Sequence, residues 1–209
     1  MKFARIAYAA AAFGALSLSA GERAGGAANR TFSGIFPPEV KTVGIVSVSS
    51  LIPAASLERG TNLLAEAGYR VKVMPNVLKM EPPEVKARIF EQAWLDPEID
   101  FLLFSRGGSG AEKVIPLIDW GRLRARNMSV LGFSDVTIVL GAMLAKGVGR
   151  PISGPSLSTL ATYNSAESRA RLRQVLDGAP PPIRLTPVKP CASAVAGKPF
   201  AGLISRFPV

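Results

Sequence analysis

Histidine is missing from all 209 residues of this chain. That absence excludes a self-contained serine–histidine machine, in which an imidazole takes the proton of the attacking hydroxyl. Cysteine is nearly missing as well: Cys191 stands alone in a Pro-rich segment, so no internal disulfide can form, and it reads as a tolerated free thiol. No metal ligands cluster in the sequence, and neither a metal nor a cofactor is expected. Aromatic residues make up only 7%, and the basic residues are scattered singly along expected helices. A net charge of +10, from 25 basic and 15 acidic residues, therefore lacks the stripe with interleaved aromatics that marks a nucleic-acid binder. A basic export product facing an anionic cell wall or membrane fits that balance better.

The first thirty residues are set apart from the rest. Lys2 and Arg5 supply a positive start, Ile6 to Leu18 is apolar and alanine-rich, and small residues run from Ser17 to Ala20. This is the layout of a secretory signal peptide, and the run falls short of the ~20 residues that span a bilayer. Cleavage is expected after Ser19 or Ala20, or as late as Ala28, with Gly21 to Ser33 a disordered lead-in. No later segment is long and apolar enough for a membrane helix, so no integral span is expected once the leader is removed. The product is expected outside the cytoplasm, periplasmic or secreted.

The chain beyond the leader suits one domain of ordinary size. Short apolar runs alternate with longer periodic ones, the mark of a parallel sheet flanked by helices. Strands are expected at Thr42 to Val48, Arg70 to Met74, Asp100 to Phe104, Met128 to Gly132 and Pro151 to Ser153. Helices are expected at Pro53 to Ala67, Pro83 to Trp94, Glu112 to Arg126, Val136 to Lys146 and Ala166 to Leu176. In the second of these, Val85, Ile89, Ala93 and Trp94 share one face. Three prolines end the pattern at Gly178 to Pro182, and the tail from Ile183 reads as a strand followed by irregular chain.

Two segments carry chemistry. Ser105-Arg106-Gly107-Gly108-Ser109-Gly110 follows a strand and precedes a helix, so its backbone N–H groups can converge on an anion or a developing oxyanion. A tight turn or a phosphate cradle would look similar, although neither Gly-x-x-x-x-Gly-Lys-Ser/Thr nor Gly-x-Gly-x-x-Gly occurs at a strand-to-helix turn. The second segment is Gly132-Phe133-Ser134-Asp135-Val136-Thr137. Ser134 reads either as the N-cap of the next helix or as a nucleophile raised on a sharp turn, with the N–H of Asp135 as an oxyanion donor. Val136 stands where Gly-x-Ser-x-Gly would place its second glycine. Spacing alone leaves both readings open.

Taken together and in order, the motifs resemble the LD-carboxypeptidases, serine peptidases that include the microcin-immunity peptidases. The resemblance rests on Asp96-Pro97-Glu98-Ile99-Asp100, Arg106-Gly107-Gly108-Ser109-Gly110, Ile118-Asp119, Gly132-Phe133-Ser134-Asp135-Val136-Thr137 and Gly154-Pro155, and runs from about Thr42 to Gly202. It implies an α/β fold with a mainly parallel sheet flanked by helices, a flavodoxin-like or amidotransferase-like N-terminal domain. It implies Ser134 as the nucleophile, and the N–H groups of Asp135 and of Gly107 or Gly108 as the oxyanion hole. The implied reaction releases a terminal D-amino acid, typically D-alanine, from a murein tetrapeptide.

The chain departs from the family pattern in three places. Ser109 replaces a tyrosine in the glycine loop, and Ser153-Gly154-Pro155 replaces His-Gly-Pro. The family's catalytic Glu and His belong to a C-terminal domain, which this chain only begins. The expected layout is leader and lead-in over 1–30, the N-terminal peptidase domain over 31–182, and a linker with the truncated start of the second domain over 183–209. The expectation is a peptidase domain inactive as this chain, prone to association and so to homodimers. The alternative is a non-catalytic domain that binds murein peptides or a partner. The leader itself makes a direct test. Mass spectrometry of protein from an exporting host is expected to find a mature start between Ala20 and Asn29; an intact Met1 on soluble cytoplasmic protein would contradict export.

Overall fold

A computed structural model describes residues 35–162 and 165–178. The leader, Cys191 and the strand expected from Ile183 lie outside these residues. Five parallel strands form one sheet in the order β2-β1-β3-β4-β5: β1 (Thr42–Val46), β2 (Arg70–Val73), β3 (Phe101–Phe104), β4 (Ser129–Gly132) and β5 (Arg150–Ser153). Among the described residues the sheet is wholly parallel, where a mainly parallel one was expected. Parallel pairing requires crossovers, and helices supply them: α1 (Ala54–Glu66), α2 (Pro83–Leu95), α3 (Ala111–Val114), α4 (Trp120–Leu123), α5 (Thr137–Lys146), α6 (Leu157–Leu160) and α7 (Ala166–Leu176).

The strand sequences explain their places. Thr-Val-Gly-Ile-Val and Phe-Leu-Leu-Phe are buried along their whole length, as a strand covered on both faces must be. The edge strands β2 and β5 are exposed at both ends. Period-two alternation splits β3 between two cores. Leu102 and Phe104 pack with Phe90, Trp94, Val130, Val139 and Met143 under α2 and α5, while Phe101 and Leu103 pack with Phe36, Leu57, Leu64 and Leu157 under α1 and α6.

Expected and observed elements agree within one or two residues, with two exceptions. The single helix expected over Glu112 to Arg126 is broken into α3, a 3₁₀ turn (Ile115–Leu117) and α4. Pro116 lies within that 3₁₀ turn, and proline removes a donor that a continuous helix would need. Asp119 then starts α4 afresh, its carboxylate accepting from Arg122 N–H at 3.2 Å. The short helix α6, four residues long, was not expected at all.

Two side chains tie down the amino ends of the strands. The Asp100 carboxylate accepts from the N–H groups of Lys41 (2.9 Å) and Thr42 (2.8 Å), joining the start of β1 to that of β3. The Arg126 guanidinium donates to the carbonyls of Trp94 (2.8 Å), Asp96 and Ile99, where α2 ends and the chain turns into β3. A cation at a helix C-terminus is also favoured by the helix dipole. Arg126→Ala strands three carbonyl oxygens at once, and charge-assisted bonds are worth about 1.5–3 kcal/mol each at most. All three bonds are only partly buried, so water replaces much of what is lost, and urea unfolding is expected to show a net loss of roughly 2–3 kcal/mol, with m unchanged.

Candidate functional site

All five strands point the same way, so their carboxyl ends share one edge of the sheet. Ligands of open α/β sheets bind along such an edge, near the point where strand order reverses, which here lies between β1 and β3. Three loops meet at that edge: Ser47 to Ile52 after β1, Ser105 to Gly110 after β3, and Phe133 to Val136 after β4.

Ser134 is exposed and has φ of 67°, the sole positive φ among the described residues other than glycine. Phe133 before it is fully extended, and a 3₁₀ turn (Ser134–Val136) leads straight into α5. The capping alternative fails on position, because the N-cap of the turn is Phe133 and that of α5 is Val136. Among the described residues the Ser134 hydroxyl has no hydrogen-bond partner. A left-handed conformation at an ordinary residue costs on the order of 1–3 kcal/mol, and persists only where surrounding structure holds it.

The glycine loop lies directly against this serine. A Cβ added to Gly107 would lie 2.8 Å from Ser134 Cβ and 3.1 Å from its Oγ. Gly108 has φ of 129°, and a Cβ there would fall 2.1 Å from Ser50 Oγ. Only glycine allows both the close approach and that backbone. Ser109 N–H donates to Ser50 Oγ at 3.2 Å and Ala111 N–H to Asp135 Oδ2 at 3.0 Å. The N–H groups of Gly107 and Gly108 have no acceptor among the described residues. The structure thus brings Gly107, Gly108, Ser134 and Asp135 together.

Asp135 does more than the sequence suggested. Its carboxylate Oδ2 accepts from Ser49 Oγ at 2.5 Å as well as from Ala111 N–H, joining all three loops. Beneath them lies Lys86, buried in α2, whose Nζ donates to the Ser49 carbonyl at 2.7 Å. Burial lowers the Lys86 pKa from the ordinary lysine value, and the negative charge of Asp135 opposes that shift. Sequence reasoning missed Ser49, Ser50 and Lys86. A signal existed for each: the run Ser47-Val48-Ser49-Ser50 ends a buried strand, and Lys86 shares its helical period with the core residues Ile89, Phe90 and Ala93.

Among the described residues no three His, Cys, Asp or Glu side chains gather to hold a metal, and no helix is long and apolar enough to cross a membrane. Fold and site together define an α/β domain of the serine-peptidase kind, with a strained serine on a strand-to-helix turn beside a glycine loop. Residues 43–153 match the LD-carboxypeptidase N-terminal domain, and the chain belongs to that family of serine peptidases.

Individual relatives agree. The chain is 28% identical over 143 residues to a protein of Streptomyces coelicolor that carries a carboxypeptidase name, covering 64% of this chain and 46% of that one. It is 33% identical over 78 residues to the murein tetrapeptide carboxypeptidase of Pseudomonas aeruginosa, covering 35% of this chain and 25% of that one. Among solved structures, the MccF-like protein of Bacillus anthracis superposes with a TM-score of 0.61 at 16% identity, over 68% of this chain and 46% of that one. The MccF-like protein of Streptococcus pneumoniae, solved with AMP, gives 0.56 at 25% identity, over 66% and 45%. The chain spans about half the length of the relatives it matches first.

Opposite effects are expected from two substitutions at the turn. Ser134→Gly relieves the left-handed strain and is expected to raise stability by roughly 0.5–1 kcal/mol. Gly108→Ala forces a methyl group onto Ser50 and is expected to lower it by about 2 kcal/mol or more. Paired urea melts check both signs.

Proposed function

We propose that this chain carries the nucleophile and oxyanion hole of an LD-carboxypeptidase: Ser134 attacks the peptide carbonyl, and the N–H groups of Asp135 and of Gly107 or Gly108 receive the oxyanion. The carrying observation is the left-handed Ser134 turn with Gly107 pressed against its side chain. Such a turn presents the hydroxyl outward, and donors without protein acceptors beside it are free to meet negative charge as it develops. The proposed substrate is a murein tetrapeptide, and the bond cleaved is the L,D-peptide bond before its terminal D-amino acid. Support for this comes from the murein tetrapeptide carboxypeptidase among the relatives.

In the reaction, the Ser134 oxygen bonds to the carbonyl carbon as its proton passes to a base. The base returns that proton to the amide nitrogen as the tetrahedral intermediate collapses and expels the D-amino acid; water then adds to the acyl carbon, its proton passing through the base to Ser134 Oγ as the acyl group is released. The base is the part this chain does not carry as histidine. Lys86 is not placed to serve, since its Nζ is engaged with Ser49 and Met80 and makes no hydrogen bond to Ser134. We therefore propose that these 209 residues alone are inactive, and that the protein works outside the cytoplasm, where murein is found. The lack of histidine equally favours a second reading, in which the site binds murein peptides without cleaving them.

General-base help is typically worth ~10²–10⁴ in rate. The purified chain is expected to release no D-alanine from a murein tetrapeptide above background, yet to bind it with amide shifts at Gly107, Gly108 and Asp135. Release abolished by Ser134→Ala would overturn the inactivity. Peptide-induced shifts confined to another surface would overturn the site.

A further inference from the structure

Lys86 is a buried cation that the proposed chemistry leaves unused. It is 7% exposed, projects from α2 toward the carboxyl end of β1, and donates through Nζ to the Ser49 carbonyl at 2.7 Å, with Met80 Sδ at 3.9 Å. The hydroxyl of that same Ser49 donates at 2.5 Å to Asp135 Oδ2, which also accepts from Ala111 N–H. Ammonium and carboxylate thus sit on opposite sides of one serine without forming a direct ion pair. A buried ammonium is costly to keep unless an opposite charge lies close. Asp135 is the charged group that acts on it. On α2 itself, Glu91 is engaged elsewhere: it accepts from Asp119 N–H and pairs with Arg122 of α4.

We propose that Lys86 is a positioning residue for the serine turn: through Ser49 it balances the Asp135 carboxylate and holds it across to the glycine loop, so that Ser134 faces backbone N–H groups and not an uncompensated negative charge. This rests on Ser134 being the reactive group. Without the ammonium, the carboxylate one residue from Ser134 would oppose any developing oxyanion. With it, the Asp135 carboxylate has a buried opposite charge at the loops' shared centre, while the Arg106 guanidinium stays exposed and donates to the Leu51 carbonyl at 3.2 Å. The role is electrostatic as well as structural, which makes it separable from mere packing.

The test places a thiol at the turn with S134C, in a C191S background so that one thiol remains, and follows the rate of iodoacetamide alkylation against pH. The parent is expected to titrate below the ordinary thiol value of about 8.5. Adding K86M, which keeps length but not charge, is expected to raise the midpoint and slow alkylation at neutral pH several-fold; K86R is expected to retain the parent midpoint. A folded K86M chain with an unchanged midpoint overturns the inference, whatever the parent value. A parent midpoint at or above the ordinary value counts instead against Ser134 as an activated nucleophile. If K86M does not fold, the 13Cε resonance of Lys86 in the S134C chain decides: it is expected to shift as the thiol titrates, and a flat response overturns the inference.

Discussion

The arrangement at the carboxyl edge of the sheet depends on one carboxylate. Asp135 follows the strained serine directly, and its Oδ2 accepts from the loop after β1 and from the first residue of the helix after β3. Three loops that would otherwise move separately are thereby fixed to one oxygen atom. This is how a left-handed backbone at a non-glycine residue survives: the turn is held from two sides, and relaxing it would break both bonds. The neighbouring glycines complete the constraint sterically, because no side chain fits where Gly107 meets Ser134.

The two edges of the sheet are built on different principles. At the amino edge, long or charged side chains satisfy backbone groups: Asp100 takes two N–H donors and Arg126 three carbonyls. At the carboxyl edge small residues predominate, with Ser49, Ser50, Gly107, Gly108 and Ser109 leaving backbone groups near the surface. A parallel sheet puts every crossover's return on the amino side, so the opposite edge is free to carry the site. Between the edges, fully apolar strands fix the spacing of the loops, which is why β1, β3 and β4 can present them within hydrogen-bond reach of one another.

Much of the fold was legible in the sequence because the central strands are too apolar to be anything but buried. Thr42 to Val48 and Asp100 to Phe104 read as strands from composition alone. The Glu112 to Arg126 segment misled because its apolar spacing is helical throughout, while Pro116 and Asp119 divide it by removing a donor and by starting a new turn. Helix α6 went unseen because four residues carry no period. At the site, Ser134 and the glycine loop stood out as motifs, but spacing left both capping and elbow open; only the backbone angle and the N-cap positions separate them. Ser49 and Lys86 were hidden for a different reason. Each carries a local signal, a serine run and a helical period, but their partners lie 86 and 37 positions away, and no local pattern says what they touch.

The distance spanned by the Ser49–Asp135 bond has a consequence for when the serine becomes unusual. Contacts so far apart in the chain close late, since the entropy of the intervening loop must be given up first. Until β1 and β4 have both docked on β3, nothing opposes the relaxation of Ser134 into an ordinary conformation. Its geometry is therefore a property of the closed sheet and not of the Gly-Phe-Ser-Asp segment, so a nascent or partly unfolded chain displays a serine like any other.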